Sequence, residues 1–451
     1  MSHPLYPSRH EDRMRAIIRL ALPVIGARVG ILTMATMDTL MLGHAGANEL
    51  AYFAISAAPQ VTLLTVSLGL LAGTQVLCAQ ARGARELERV GQIWRVAMVI
   101  AVVLGLAGAA LLWQGKALLR LAAQSADIVE GGGYALEMVA PGVPGLLMYI
   151  ATALTLESIG RPRAGLIIVL AANGVKLLLN WLLIFGPFGL PELGAAGANL
   201  ATAIVRWLMC IVIVAYLLEM SGAEAYGIYA RIREPVLTAW RLLRLGAPIG
   251  LGQGLESSAF TTLAGFAGLI GATQLASYQI ALNLTALLFM VSTGLATATA
   301  VHVAIAVGRG DRAGMAASGW LGTALNTAIM AVAALALAAG GGALAALYTS
   351  DPGLAAATIP VIAVVAWMVV PDGVQGVLMG ALRGAGDVLM PTLLHLFSFW
   401  ALTVPLAWHL AFTRGLGVEG LLWALVVGLS VAGAVLALRL LQIGRRAPSR
   451  H

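Results

Sequence analysis

The chain has 451 residues, of which 60% are hydrophobic and only 10% are charged. A water-soluble domain normally carries about 25% charged residues, so this chain lacks the polar surface needed to cover a globule. This composition excludes a soluble enzyme, a disordered chain and, despite the net charge of +7, a nucleic-acid-binding protein. The two cysteines, Cys78 and Cys210, both lie in apolar segments and indicate no disulfide framework.

Long apolar runs follow one another along almost the whole chain, and each is close to the roughly 20 residues that a membrane-spanning helix needs. They are much longer than barrel strands, which need only about 10 alternating residues. The sequence therefore predicts an all-α integral membrane protein with twelve transmembrane helices. The predicted spans are 16–41, 50–79, 92–113, 134–158, 165–186, 195–218, 241–266, 274–306, 317–340, 358–382, 391–411 and 418–440.

The basic residues alternate between the two sides of this predicted topology. Most of the 27 Lys and Arg residues fall at the two ends of the chain and in every second loop. The remaining loops contain only Lys116, Arg120 and Arg414. Because cytoplasmic loops carry an excess of Lys and Arg, both termini are predicted to lie in the cytoplasm.

The second half of the chain repeats motifs of the first half. Arg19–Pro23 recurs as Arg244–Pro248, and Gly46–Ala51 recurs as Gly271–Ala276, both displaced by 225 positions. Each half contains an even number of spans, which predicts two six-helix bundles related by a pseudo-two-fold axis along the membrane normal. The predicted parts are an N-terminal bundle (1–220), a cytoplasmic linker (221–240) and a C-terminal bundle (241–451).

Three carboxylates, Asp38, Glu256 and Asp372, lie inside predicted spans, where each costs about 2.5–3.5 kcal/mol to insert. At 1.5 Å per residue, Glu256 and Asp372 lie roughly 22 Å and 21 Å into their spans, near mid-membrane. Asp38 lies roughly 28 Å along the first span, close to its outer end. We interpret Glu256 and Asp372 as cation-coupling groups that exchange a proton or bind Na⁺, the alternative being carboxylates that cap or cross-link helices. For Asp38 the sequence leaves both roles open.

Other polar and basic residues within spans have two interpretations each. Arg28, Lys176 and Arg206 could form a buried salt bridge or a substrate gate, but snorkelling or structural helix pairing is the commoner use. A second group could line a substrate cavity or simply pack and hydrogen-bond between helices. This group comprises Gln253, Gln279, Asn283, Phe289, Met368, Gln375 and Asn173.

No pattern typical of a resident metal or cofactor is present in the sequence. His302, His395 and His409 are scattered without a second ligand at metal spacing, which leaves Na⁺ at Glu256 and Asp372 as the one metal-ion possibility. No phosphate-binding loop occurs, so ATP is not expected to be the direct energy source. We therefore expect neither an enzyme nor a cofactor, only a coupling ion.

Several of these segments together resemble the multidrug and toxic compound extrusion (MATE) transporters, in particular their NorM-type branch. The resemblance is carried by Leu20–Pro23, Met37–Ala47, Gly246–Ile249 with Glu256, and Pro371–Asp387. It extends over about 10–440, which is nearly the whole chain.

The resemblance implies a V-shaped pair of bundles that opens alternately to each side and exports organic cations or amphipathic drugs, driven by inward Na⁺ or H⁺. Glu256, Asp372 and Asp38 match the acidic positions of the seventh, tenth and first spans. Met368 stands where these proteins often carry an aromatic residue. The expected partners are small-molecule drugs and membrane lipids, with no nucleic acid, and the expected state is a monomer.

A flippase for lipid-linked saccharides, which shares a related architecture, is the alternative function. Such a protein needs a basic cavity for diphosphate groups, and Arg28, Lys176 and Arg206 could supply one.

Overall fold

A computed structural model of the chain describes residues 10–189, 191–230, 232–349 and 351–445, and these form helices and turns without any strand. The helices of the first half are α1 His10–Ala45, α2 Ala47–Gly83, α3 Leu87–Trp113, α4 Gly115–Leu121, α5 Ala126–Val139, α6 Gly142–Ser158, α7 Arg163–Phe185 and α8 Gly194–Glu219. Those of the second half are α9 Pro235–Ile270, α10 Ala272–Gly308, α11 Arg312–Tyr348, α12 Pro352–Gly384, α13 Leu389–Phe397, α14 Val404–Trp408 and α15 Gly417–Arg445.

Within these described residues, ten helical stretches are long and apolar enough to cross a membrane, with α13, α14 and the π-helical turns beside them counted as one stretch, 389–413. The pair α5 and α6 supplies another span, bent by 46°. The bend follows from Pro141, which has no N–H to continue the helix. The predicted fourth span, 134–158, crosses this break. With α9, the predicted all-α architecture of twelve spanning helices is confirmed.

Helix α9 covers the predicted seventh span but is not among the ten most apolar stretches. It is 36 residues long, so its length is ample at 1.5 Å per residue. Its hydropathy is diluted by glycines and by polar side chains such as Gln253 and Glu256. Several other helices extend beyond the predicted spans, since hydropathy marks only the lipid-embedded part of a helix.

The lengths of the helices follow the same internal repeat as the sequence. Helices α1 and α9 both have 36 residues, and α2 and α10 both have 37. The junctions between them are Gly46 and Gly271, with φ of 146° and 154°. An added Cβ would meet nothing within 4 Å at either glycine, so backbone conformation rather than packing requires glycine there.

The described chain divides into two compact units, and both boundaries fall inside helices. One unit is Gly26–Gly250, called here the first unit, and the other is Met1–Ile25 with Leu251–His451, called the second unit. The breaks in α1 and α9 are themselves 225 positions apart, as in the repeat. The bundles expected at 1–220 and 241–451 remain a prediction from the sequence, since the compact units group the first parts of α1 and α9 differently.

Each unit has its own buried apolar core. In the second unit, Tyr278 and Phe399 are among the largest fully buried side chains. In the first unit, α3 and α6 approach closely at Gly105, where an added Cβ would lie 2.5 Å from the Cα of Pro144. A small residue is therefore required at this helix crossing.

We expect Gly105→Ala to lower the free energy of unfolding by about 1–3 kcal/mol, because the new methyl group overpacks the α3–α6 contact. Gly174→Ala on α7 is the matched control, since nothing lies within 4 Å of its added Cβ. That control should be neutral or stabilising by up to about 1 kcal/mol. Thermal unfolding of the purified protein in detergent measures both, and equal midpoints for the two variants would contradict the prediction.

Candidate functional site

Glu256 and His395 meet in the second unit, where α9 and α13 pack together. The Glu256 Oε2 atom lies 3.3 Å from His395 Nε2. The His395 side chain is only 4% exposed, whereas the Glu256 side chain is 23% exposed. An added Cβ at Gly252, one turn before Glu256, would lie 3.0 Å from Thr392 Cγ2, so glycine permits this close approach.

Gln375 on α12 holds the other side of the imidazole ring. Its Nε2 atom lies 2.8 Å from His395 Nδ1, and its Oε1 atom is buried without a hydrogen-bond partner. With the amide nitrogen donating, Nδ1 accepts and the ring proton is on Nε2, which lies 3.3 Å from Glu256 Oε2 but forms no hydrogen bond with it. If the amide group is rotated by 180°, Oε1 instead accepts a hydrogen bond from a protonated Nδ1. Gln375 can therefore hydrogen-bond to a neutral or to a charged imidazole ring.

Asp372, on the same helix α12, is buried, with 6% of its surface exposed. Among the described residues it forms no hydrogen bond and no ion pair, yet it interacts electrostatically with Glu256. Glu256, Asp372, Gln375 and His395 are called here the carboxylate–histidine cluster. Among the described residues, the two carboxylates of this cluster form only one ion pair, the one between Glu256 and His395.

More unpartnered polar atoms lie against Gly373, the residue that follows Asp372. An added Cβ at Gly373 would come within 3.0 Å of Ser292 Oγ and within 2.7 Å of Met330 Cγ, and it would also strike Asn326 Nδ2. Ser292 and Asn326 are buried, and their side-chain oxygens have no hydrogen-bond partner. The missing side chain of Gly373 therefore allows polar groups of α10 and α11 to pack against α12 one residue after Asp372.

The other residues predicted to line a cavity are dispersed. Gln253 has a buried, unpartnered Oε1 atom one turn before Glu256. Met368 is fully buried, whereas Gln279 is exposed. The remaining three have their own contacts: Asn283 accepts from the Tyr348 hydroxyl at 2.8 Å, Phe289 lies 3.8 Å from an added Cβ at Gly376, and Asn173, in the first unit, donates to Gly30 O at 3.0 Å.

Asp38 lies in the first unit and is directly paired. Lys176 Nζ is 2.6 Å from Asp38 Oδ2, and both side chains are 4% exposed. Asn180 donates to the other oxygen, Oδ1, at 2.7 Å. The charge of Arg206 also acts on Asp38. Asp38, Lys176, Asn180 and Arg206 are called here the paired-charge cluster.

The third intramembrane cation, Arg28, interacts instead with Glu157 at the end of α6. Glu157 is buried and accepts from Gln75 Nε2 at 2.9 Å. Sequence analysis missed it because its place at a helix end suggests solvent. The sequence offered only a loose signal: Glu157–Arg161 loosely matches Arg383–Asp387, one position away from the main repeat offset, and the charge of Arg383 acts on Glu256.

His395 was missed for a different reason. No sequence spacing connects it to Glu256, and only the packing of α13 against α9 brings them together. In the described ranges, no group of three or more His, Cys, Asp or Glu side chains could hold a metal ion.

These features define a multi-pass α-helical membrane protein with buried charged clusters in both units. A family model, MatE, matches residues 23–182 and 248–409. The chain is 34% identical to a probable multidrug resistance protein NorM of Caulobacter vibrioides over 94% of this chain and 90% of that protein. It is 33% identical to a protein of the same description from Bradyrhizobium diazoefficiens, over 98% of this chain and 96% of that protein.

The solved structures give the same picture of the fold. An outward-facing multidrug resistance MATE family transporter of the MOP superfamily matches with a TM-score of 0.88 at 20% identity, covering 96% of this chain and 97% of that one. The chain belongs to the MatE family, as its motifs predicted, and it is a membrane transporter rather than an enzyme.

We expect Gly373→Ala to disrupt the polar surroundings of Asp372, because its methyl group would strike Asn326, Met330 and Ser292. The free energy of unfolding should fall by about 1–3 kcal/mol, as for other overpacked sites. Gly376→Ala, one turn later, is the matched control, since its Cβ would meet only Phe289 at an ordinary 3.8 Å. Thermal unfolding in detergent compares the two, and equal destabilisation would contradict the geometry.

The Asp38–Lys176 pair should behave as a buried ion pair. Lys176→Met leaves the Asp38 carboxylate buried without its cation, and we expect a loss of about 3–5 kcal/mol in the free energy of unfolding. Combining Lys176→Met with Asp38→Asn removes both charges and should restore most of that loss. The measurement is a double-mutant cycle by denaturant unfolding, in which additive losses would argue against direct pairing.

Proposed function

We propose that this chain is a secondary active exporter of organic cations and amphipathic drugs. Export is exchanged for inward movement of Na⁺ or H⁺ by alternating access, in the bacterial inner membrane, with both termini in the cytoplasm. The names of the NorM relatives support drug export, and the alternation of basic loops supports the orientation. The chain needs no cofactor beyond the coupling ion.

The observation that carries the proposal is Asp372. A carboxylate buried in a membrane protein without a hydrogen bond or an ion pair has no compensation for its lost hydration. A bound proton or small cation would provide that compensation. The nearby Glu256 carboxylate adds a second negative charge, which strengthens the attraction for cations.

The side chains around these carboxylates suit either coupling ion. Na⁺, a hard cation, is best held by oxygen ligands. Buried oxygens without hydrogen-bond partners occur in the same unit at Gln253, Gln375, Ser292 and Asn326. A proton needs only a carboxylate, and the His395 imidazole beside Glu256 can hold one as well.

In this mechanism Glu256 and Asp372 attract a cationic substrate while they are ionised. An ion that enters from outside neutralises them and weakens that attraction, so the substrate leaves outward. Each inward charge supplies about 2.3 kcal/mol per 100 mV of membrane potential. At 1.4 kcal/mol per tenfold, one such ion sustains a substrate gradient of about 50-fold.

The arrangement of the remaining charges limits the alternatives. Asp38 is already neutralised by Lys176, which favours a structural role for it and leaves coupling to Glu256 and Asp372. The flippase alternative would use Arg28, Lys176 and Arg206 together. Because Lys176 is paired with Asp38 and Arg28 interacts with Glu157, the geometry favours antiport.

We expect Glu256→Gln and Asp372→Asn each to lower coupled export at least about tenfold, since each removes an interaction of about 1.4 kcal/mol or more with the cation. Glu224→Gln, at an exposed position between the halves, is the control and should transport normally. The measurement is dye export in reconstituted vesicles, with Na⁺ and pH gradients imposed separately. Full export by both variants, at equal protein content, would exclude these carboxylates as the coupling groups.

A further inference from the structure

The paired-charge cluster of the first unit contains more positive than negative charge. Asp38 is the carboxylate at its centre, and Lys176 contacts it directly at 2.6 Å. Arg206, on α8, interacts electrostatically with both of these residues but forms no ion pair with any described residue. The cluster therefore carries one positive charge that no carboxylate contacts.

The guanidinium of Arg206 is only partly satisfied by neutral groups. Its Nη2 atom lies 3.4 Å from Gln60 Oε1, near the limit for a hydrogen bond. Its Nη1 atom is buried and has no hydrogen-bond partner. The side chain is held in place by packing, because an added Cβ at Gly142 would lie 3.2 Å from Arg206 Cδ.

Arginine cannot relieve this situation by losing its proton, because its guanidinium stays charged in proteins. A buried charge is stable only when it is paired or hydrogen-bonded. The planar guanidinium presents parallel N–H donors that fit the two oxygens of a carboxylate. Lys176 is already paired with Asp38, so the net positive charge of the cluster is that of Arg206, and its unsatisfied donors point to an anionic group as the ligand.

We propose that Arg206 forms an anion-binding site in the first unit that receives the carboxylate group of a zwitterionic amphipathic substrate. This role of the site rests on the proposed function, because the carboxylate belongs to a molecule that the protein exports. Arg206 donates two hydrogen bonds to that carboxylate, which satisfies Nη1. Zwitterions then bind more tightly than esters of the same molecule, in which the negative charge is absent.

A matched pair of dyes tests this selectivity: a rhodamine with a free carboxylate and its methyl ester. Both carry the same cationic ring system, so only the anionic group differs. Export by reconstituted vesicles gives an apparent affinity for each dye. In Arg206→Gln we expect the acid-to-ester affinity ratio to fall about tenfold, as for loss of a charged hydrogen bond. Arg161→Gln, which removes an exposed arginine that contacts Ser221, should keep the wild-type ratio.

An unchanged ratio in Arg206→Gln would overturn the proposal. If that variant does not accumulate, the unmodified protein decides the question by thermal unfolding in detergent with benzoate or with its neutral analogue benzamide. Stabilisation by benzoate beyond that by benzamide supports the site, and equal effects overturn it. A positive result also shows that a free carboxylate suffices as ligand.

The two proposals fail in distinguishable ways. If wild-type vesicles export neither dye under any ion gradient, the proposed function fails, while the comparison of benzoate with benzamide still tests the anion site. If the ester is exported and the acid-to-ester ratio does not depend on Arg206, the anion site fails alone.

Discussion

The cost of holding charge in a low-dielectric interior governs the polar structure of this protein. Three carboxylates meet that cost with three different kinds of partner. Asp38 has a lysine in direct contact, Glu157 has an amide donor and a more distant arginine, and Glu256 has a histidine. Asp372 has no such partner among the described residues. The carboxylates therefore range from Asp38, which is permanently paired, to Asp372, which is unpaired. An exchangeable ion can act only on a carboxylate without a permanent partner.

Helix packing determines which of these groups can meet. Gly105 lets α3 approach Pro144, and Gly373 leaves room for Asn326 and Ser292 beside Asp372. Without a hydrophobic driving force between helices in lipid, such small residues allow the van der Waals contact that holds the bundle together. Gly105 therefore contributes to helix packing in the first unit, and Gly373 to the arrangement of polar groups against α12 in the second.

The internal repeat preserves the helices but not the charges that they carry. Helices α1 and α9 are equally long, and so are α2 and α10. Glu157 interacts with Arg28 in the first unit, while Arg383, in the loosely matching segment, interacts with Glu256 in the second. One scaffold thus presents a lysine-paired carboxylate in one unit, and in the other a partly exposed, histidine-paired carboxylate together with an unpaired one. Such a difference lets two similar units recognise different chemical groups.

The sequence by itself determined the membrane-embedded class, the helix count, the repeat and the family, because hydropathy, basic-loop alternation and local motifs act over short stretches of chain. It also identified Glu256 and Asp372, since a carboxylate in a long apolar run is conspicuous. Only the tertiary structure decided their surroundings. His395 meets Glu256, and Lys176 neutralises Asp38, through contacts between helices far apart in sequence. No periodicity encodes such contacts, because the angle and depth at which helices cross depend on the packing of every side chain between them.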